Sequence, residues 1–143
     1  MVKLEYKGSL YKVQAAVSKA NEILTSPKFY NEIRKHSQFD FTELSPIQIA
    51  DIMEQADYSI QVKSSFKPIA NASTNSADLI TVSNIRFSRH LPTAVNTLVH
   101  ETVHAVDFLN EKLEFTHDGN KSEGQERTAP WVIGEIAEKM VTS

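Results

Sequence analysis

The sequence contains no cysteine, and this absence restricts the chemistry open to the chain. Disulfides and thiolate metal sites are excluded, so any transition metal must be held by histidine, aspartate or glutamate. No apolar run approaches the roughly 20 residues that a membrane-spanning helix needs. The first residues alternate charged and apolar side chains and lack the apolar core of a secretory signal. We therefore expect a chain that avoids the membrane and resides in the cytoplasm.

Charge and length narrow the class of protein further. The net charge is -3, which argues against a nucleic-acid partner because such partners are usually met by a basic surface. The 143 residues, of which 41% are hydrophobic, are enough to bury one core. The chain has no internal repeat and no low-complexity tract. We predict a single domain over 1–143.

The first half of the chain shows helical patterns followed by strand patterns. A short strand is predicted at the N-terminus, and helical periodicity predicts a helix over about 9–25. Two Ser-Pro pairs, Ser26–Pro27 and Ser45–Pro46, predict the starts of two more helices with serine as the N-cap. Alternation predicts strands over 58–66 and 79–87, separated by a polar turn or loop over 71–78.

The second half contains a long amphipathic helix that begins near Leu91 and Pro92. A polar loop over 116–127 follows it, and Pro130 begins a last helix. Helices, then a small sheet, then a long central helix and a closing helix are typical of an α+β domain. We predict that the small sheet is mostly antiparallel.

The central helix carries the sequence HETVH, with His100, Glu101 and His104. Residues four apart lie on one face of a helix, so both imidazoles can bind one Zn²⁺ ion. Glu101 lies about 100° round the helix from His100, where it can act as general base on a water held by the metal. With only five histidines in the chain, a chance match to this spacing is rare.

A catalytic zinc site needs a third protein ligand and one exchangeable position. His117 is the first candidate, because the chain after the helix can return it to the ion and Gly119 allows a tight turn. Glu126 is the alternative third ligand, ahead of the acids Asp118 and Glu123 in the same loop. Ligating imidazoles usually donate their second N–H to a carboxylate or carbonyl, and we predict that Asp107 accepts it from His104.

Other polar residues are weaker candidates for the site. A carbonyl under attack needs a hydrogen-bond donor for its developing charge, and Tyr58, Arg89 and His90 could supply one. Trp131 is interpreted as a core residue, with a wall of the substrate cleft as the alternative.

On HETVH, the following HAVD and the later THDG, the chain resembles the zincin metallopeptidases. Within them it is similar to SprT-like proteases and to small phage or bacterial zincins. The resemblance covers about 100–134 and implies a minimal zincin-like fold. It also implies zinc ligation by His100, His104 and His117, with Glu101 as general base.

The resemblance further implies a peptide or protein substrate, bound by strand addition along an edge strand over 79–87. The chain departs from two zincin groups, since it lacks the metzincin third histidine soon after the motif and the downstream acidic helix of thermolysin-like enzymes. It also has no zinc ribbon, because it has no cysteine. The expected function is zinc-dependent peptide hydrolysis, and the alternative is a non-catalytic zinc-binding or interaction protein.

Overall fold

A computed structural model describes residues 1–66, 70–109, 115 and 125–142. Within them the fold is mixed α/β, with five helices and one four-stranded mixed sheet. The elements in chain order are β1 Lys3–Tyr6, α1 Tyr11–Leu24, α2 Pro27–Arg34, α3 Pro46–Gln55, β2 Ser59–Ser65, β3 Ala72–Ser76, β4 Leu79–Ser83, α4 Leu91–Asp107 and α5 Ala129–Thr142.

All five helices begin and end close to the residues that the sequence patterns predict. The α1 residues with helical spacing, from Val13 to Leu24, are the ones that become buried. The two Ser-Pro pairs behave differently. Ser45 accepts the Gln48 backbone N–H and forms a complete capping box, whereas Ser26 makes no side-chain cap hydrogen bond. Both serines therefore occupy the predicted N-cap position, and only Ser45 caps its helix through the side chain.

The sheet has the order β1-β2-β4-β3, and the prediction of a mostly antiparallel sheet is wrong. β1 pairs with β2 and β2 with β4 in parallel, and only β3 and β4 are antiparallel. Connection length explains this, because parallel strands need a crossover of a dozen or more residues. Three helices separate β1 from β2, whereas β3 and β4 are joined by a tight turn.

The predicted edge strand over 79–87 lies inside the sheet, and that prediction is corrected. β4 ends at Ser83 and is paired on both sides, by β2 and by β3. Ile80 and Val82 are fully buried there. The edge is β3, within the segment 71–78 that was predicted to be a polar turn or loop. Its residues, ASTNS, are small and polar, so they lack the apolar alternation by which a strand is identified.

Helix α4 lies at the centre of the packing. It contacts α1, α3 and α5 as well as β3 and β4. The helix contributes fully buried apolar side chains to the core, among them Val95, Leu98, Val99, Val103 and Val106. Leu109 lies beyond the end of the helix and is exposed. None of the described helices is long and apolar enough to cross a membrane.

Candidate metal centre

The two histidines of HETVH face each other across one turn of α4. His100 and His104 are both half-buried, and their Nε2 atoms are 3.3 Å apart. The ring centroids are 5.1 Å apart and the ring planes are inclined by 54°. Other residues of the same turn, Val99, Thr102 and Val103, are fully buried in the core and fix the position of the helix. The predicted convergence of these imidazoles is therefore present.

This separation suits a shared metal ion. Zinc binds imidazole nitrogen at about 2.0–2.1 Å with tetrahedral angles, which places two ligating nitrogens about 3.3 Å apart. The Nε2 atoms of His100 and His104 already have that spacing. An aliphatic or amide side chain at either position would not offer a ring nitrogen to a metal ion. The distance between the two Nε2 atoms is thus compatible with both nitrogens binding one zinc ion.

Glu101 lies beside the pair and is hydrogen bonded to the edge strand. The hydroxyl of Thr74, on β3, donates to Glu101 Oε2 at 2.9 Å. Burial raises the pKa of the Glu101 carboxyl above its usual value, and the hydrogen bond from Thr74 acts in the opposite direction. A carboxylate with a raised pKa is a better proton acceptor near neutral pH, which is what a general base requires.

Asp107 is fully buried at the C-terminal end of α4. Its Oδ2 accepts the backbone N–H of Phe115 at 3.1 Å, and Phe115 is itself buried. This hydrogen bond attaches the chain that follows α4 to the end of the helix. Sequence reasoning missed this contact, and the predicted acceptance of a His104 N–H by Asp107 stays a prediction.

The candidate third ligands have different positions relative to the histidine pair. His117, with Asp118 and Glu123, lies outside the described residues. Glu126 is described and exposed. Across 1–66, 70–109, 115 and 125–142, no three histidine or acidic side chains form a group that could hold a metal. Glu126 is therefore not brought together with His100 and His104.

The three candidate oxyanion donors are not brought to the histidine pair. Arg89 and His90 lie at the start of α4, and His100 is about 14 Å further along the helix axis. His90 Nδ1 is 3.0 Å from the hydroxyl of Thr93 in the first turn. Tyr58 donates its hydroxyl to the Ala77 carbonyl at 2.6 Å, in the turn between β3 and β4. These contacts give Tyr58 and His90 structural roles.

A cleft of about 380 Å³ opens beside His100 and Glu101. It lies between the segment leading into β3, the outer face of α4 and the first turns of α5. Its described lining residues are Ala70, Asn71, Ala72, Thr93, Asn96, Thr97, His100, Glu101, Trp131 and Glu135.

Trp131 forms a wall of this cleft, so its interpretation as a core residue is wrong. It is 39% exposed, and its ring centroid is 6.2 Å from that of His100 in an edge-to-face arrangement. Its Nε1–H donates to Glu135 Oε1 at 3.1 Å. Trp131 directly follows Pro130, near the start of α5. Whether its ring is buried depends on how α5 packs, and the sequence does not reveal that packing.

Close packing of α5 on α4 fixes this wall relative to the histidines. A methyl group at Gly134 would overlap the Asn96 side-chain oxygen and come within 3.1 Å of the Asn96 backbone oxygen. The Asn96 Nδ2 also donates to Glu138 Oε1 at 2.8 Å. Gly134 therefore allows α4 and α5 to pack closely, and the Asn96–Glu138 hydrogen bond joins the two helices.

No protein-family model, curated protein or solved structure matches this chain. The arrangement of its own residues therefore carries the functional argument.

Proposed function

We propose that this protein is a zinc-dependent peptidase built on a minimal zincin-like domain, with Glu101 as general base. The observation that carries the proposal is the 3.3 Å convergence of His100 and His104 Nε2 beside an open cleft. Glu101 lines the same cleft, hydrogen bonded to an edge strand. Two converging imidazoles, an adjacent carboxylate and open space are the parts that metal-assisted hydrolysis needs.

His100 and His104 would hold the zinc ion, with His117 as the proposed third ligand. Phe115 is attached to Asp107, three residues past His104. His117 follows Phe115 by two residues and lies outside the described residues. Asp107 would act by holding Phe115, which precedes this proposed ligand in the chain.

Zinc, when bound, supplies a Lewis acid that lowers the pKa of a water and polarises a carbonyl. Glu101 accepts the proton of the attacking water and passes it to the leaving amine. The hydroxyl of Thr74 fixes the orientation of the carboxylate during both transfers.

The edge strand β3 is the proposed docking line for the substrate backbone. It occupies the end of the sheet, so one side of it is unpaired within the described sheet. Asn71 and Ala72, where β3 begins, line the cleft together with His100 and Glu101. An extended peptide added to β3 would therefore pass in front of the histidine pair, with affinity from main-chain hydrogen bonds.

Metal analysis and proteolysis of matched variants test this function. The wild type and Glu101→Gln should each retain about one zinc per chain, and His100→Ala should lose it, because a catalytic zinc site needs three protein ligands and His100 is one of the proposed three. Only the wild type should cleave an unfolded protein substrate. His36→Ala is the matched control, since His36 is exposed and lies on another helix end.

Each result has a distinct meaning. Zinc-free wild type after dialysis against zinc at neutral pH would overturn the proposal. Stoichiometric zinc without hydrolysis of any substrate, in wild type as in Glu101→Gln, would instead favour the non-catalytic zinc-binding protein.

A further inference from the structure

The Trp131–Glu135 pair forms a polar feature of the cleft that hydrolysis does not use. The two residues are four apart on α5, so they share one face of the helix. The indole N–H donates to Glu135 Oε1 at 3.1 Å, which fixes the carboxylate beside the ring. Glu135 Oε2 has no hydrogen-bond partner in the part of the chain that the structure describes.

The charged side chains among the described lining residues of the cleft are all acidic. Its described lining includes two carboxylates, Glu101 and Glu135, and no lysine or arginine. Glu101 is directed to Thr74, whereas Glu135 is exposed. A cation entering the cleft would therefore meet the Glu135 carboxylate with an indole ring next to it. An indole face attracts ammonium and guanidinium groups, and a carboxylate pairs with them.

We propose that Trp131 and Glu135 form a subsite for a lysine or arginine side chain of the peptide substrate. The alkyl part of that side chain packs on the Trp131 ring, and its charged end pairs with Glu135. This inference rests on the proposed function, because it assigns a side-chain preference to the same cleft. The subsite adjoins His100, at 6.2 Å between ring centroids, so the basic residue lies close to the bond that is cut.

Trp131 is the only tryptophan in the chain, so its fluorescence reports directly on this subsite. The experiment titrates zinc-loaded and zinc-free Glu101→Gln protein with blocked alanine pentapeptides. Each peptide carries either lysine or the neutral norleucine, scanned through the five positions. At the best position, lysine should bind about tenfold more tightly than norleucine, because both side chains pack on the Trp131 ring and only lysine pairs with the Glu135 carboxylate.

Variants at position 135 decide the cause of that preference. In the same background, Glu135→Gln should remove it while keeping an acceptor for the indole N–H. Glu135→Lys should transfer the preference to glutamate-containing peptides. Glu43→Gln makes the same charge change at an exposed residue of another segment and should leave the preference intact.

The outcomes separate this inference from the proposed function. Equal affinity for lysine and norleucine, no binding of either, or a lysine preference that survives Glu135→Gln would overturn the subsite. Any of these could accompany intact zinc-dependent proteolysis by the wild type. Conversely, a lysine preference that depends on Glu135 in a protein without zinc or proteolysis would retain the subsite and remove the peptidase.

Discussion

One hydrogen bond, from the Thr74 hydroxyl to the Glu101 carboxylate, joins the edge strand to the helix that carries the histidine pair. The same hydroxyl lies 3.4 Å from the Glu101 backbone oxygen. Glu101 has three side-chain torsions, and a half-buried carboxylate without a fixed partner would sample several rotamers. In the proposed reaction Thr74 is therefore a positioning residue, because its hydrogen bond limits the directions in which the Glu101 carboxylate can accept a proton.

Replacement of Thr74 tests this positioning role. Thr74→Val keeps the β-branched shape but removes the donor, and we expect kcat/KM for peptide hydrolysis to fall roughly tenfold or more. A hydrogen bond to a charged group contributes about 1.5–3 kcal/mol, and 1.36 kcal/mol corresponds to a factor of ten in rate. Thr74→Ser restores the hydroxyl and should recover most of the activity. Zinc content should match wild type in both variants, and equal activity of the Val and Ser variants would contradict the role.

At the scale of the element, the starts of α2 and α3 have the same Ser-Pro sequence but different caps. Ser45 Oγ accepts the Gln48 N–H at 3.1 Å, and the Gln48 side chain accepts the Ser45 N–H at 2.8 Å. Ser26 has extended backbone geometry at the same position, yet its side chain makes no cap hydrogen bond. The proline is therefore the shared helix-start signal, and the reciprocal cap depends on glutamine three residues after Ser45.

The two serines provide a matched pair for a stability measurement. Ser45→Ala should lower the free energy of unfolding by about 1 kcal/mol, because it leaves a helix N–H without its acceptor. Ser26→Ala should change it by less than about 0.5 kcal/mol, since no side-chain bond is lost. Urea denaturation of both variants beside wild type measures the difference. Equal losses would indicate that neither serine stabilises its helix through the cap.

The sequence predicts the helices well because helical periodicity and proline positions are local signals. It predicts the sheet poorly, because the order of strands depends on contacts between distant segments. Strand β3 is an example. Its residues, among them Thr74, are small and polar and carry no strand pattern, and the strand is recognised from its pairing with β4. An error of this kind moved the predicted edge from β3 to 79–87.

The candidate site likewise contains residues whose arrangement is local in sequence and residues that only tertiary packing brings together. His100, Glu101 and His104 lie within one helical turn, so their relation follows from helix geometry alone. Thr74 and Trp131 come from other elements, and only the packing of β3 and α5 against α4 brings them to the cleft. Spacing in sequence therefore predicted the proposed ligands and base, but not the groups that orient the base or line the cleft.

At the scale of the whole molecule, two phenols, the buried Tyr30 and the half-buried Tyr58, connect different parts of the fold. Tyr30 donates to the Leu24 carbonyl at the end of α1, and Tyr58 donates to the Ala77 carbonyl beside β4, both at 2.6 Å. Burial, helped by the nearby Glu54 carboxylate, raises the pKa of Tyr30 well above its usual value. Burial and then Asp78 raise the pKa of Tyr58 to about 12. Each phenol thus stabilises the folded state as long as it keeps its proton.

These pKa shifts predict how the fold responds to alkaline pH. A phenol in the unfolded chain loses its proton near pH 10, whereas Tyr30 and Tyr58 in the folded protein keep theirs to higher pH. Their contribution to stability is therefore complete below pH 10 and is lost as the pH rises, through about 12 for Tyr58. The urea midpoint of the wild type should fall between pH 8 and pH 11, a range chosen to span the phenol value of about 10.

A Tyr30→Phe, Tyr58→Phe double variant separates these two phenols from every other group that titrates in the same range. At pH 8 the variant should be less stable by about 1 kcal/mol for each lost hydrogen bond. Its urea midpoint should nevertheless fall less steeply towards pH 11 than that of the wild type, because lysines and the two remaining tyrosines titrate equally in both proteins. Parallel pH profiles would mean that neither phenol is held neutral by the fold, and the loss at pH 8 would then report packing alone.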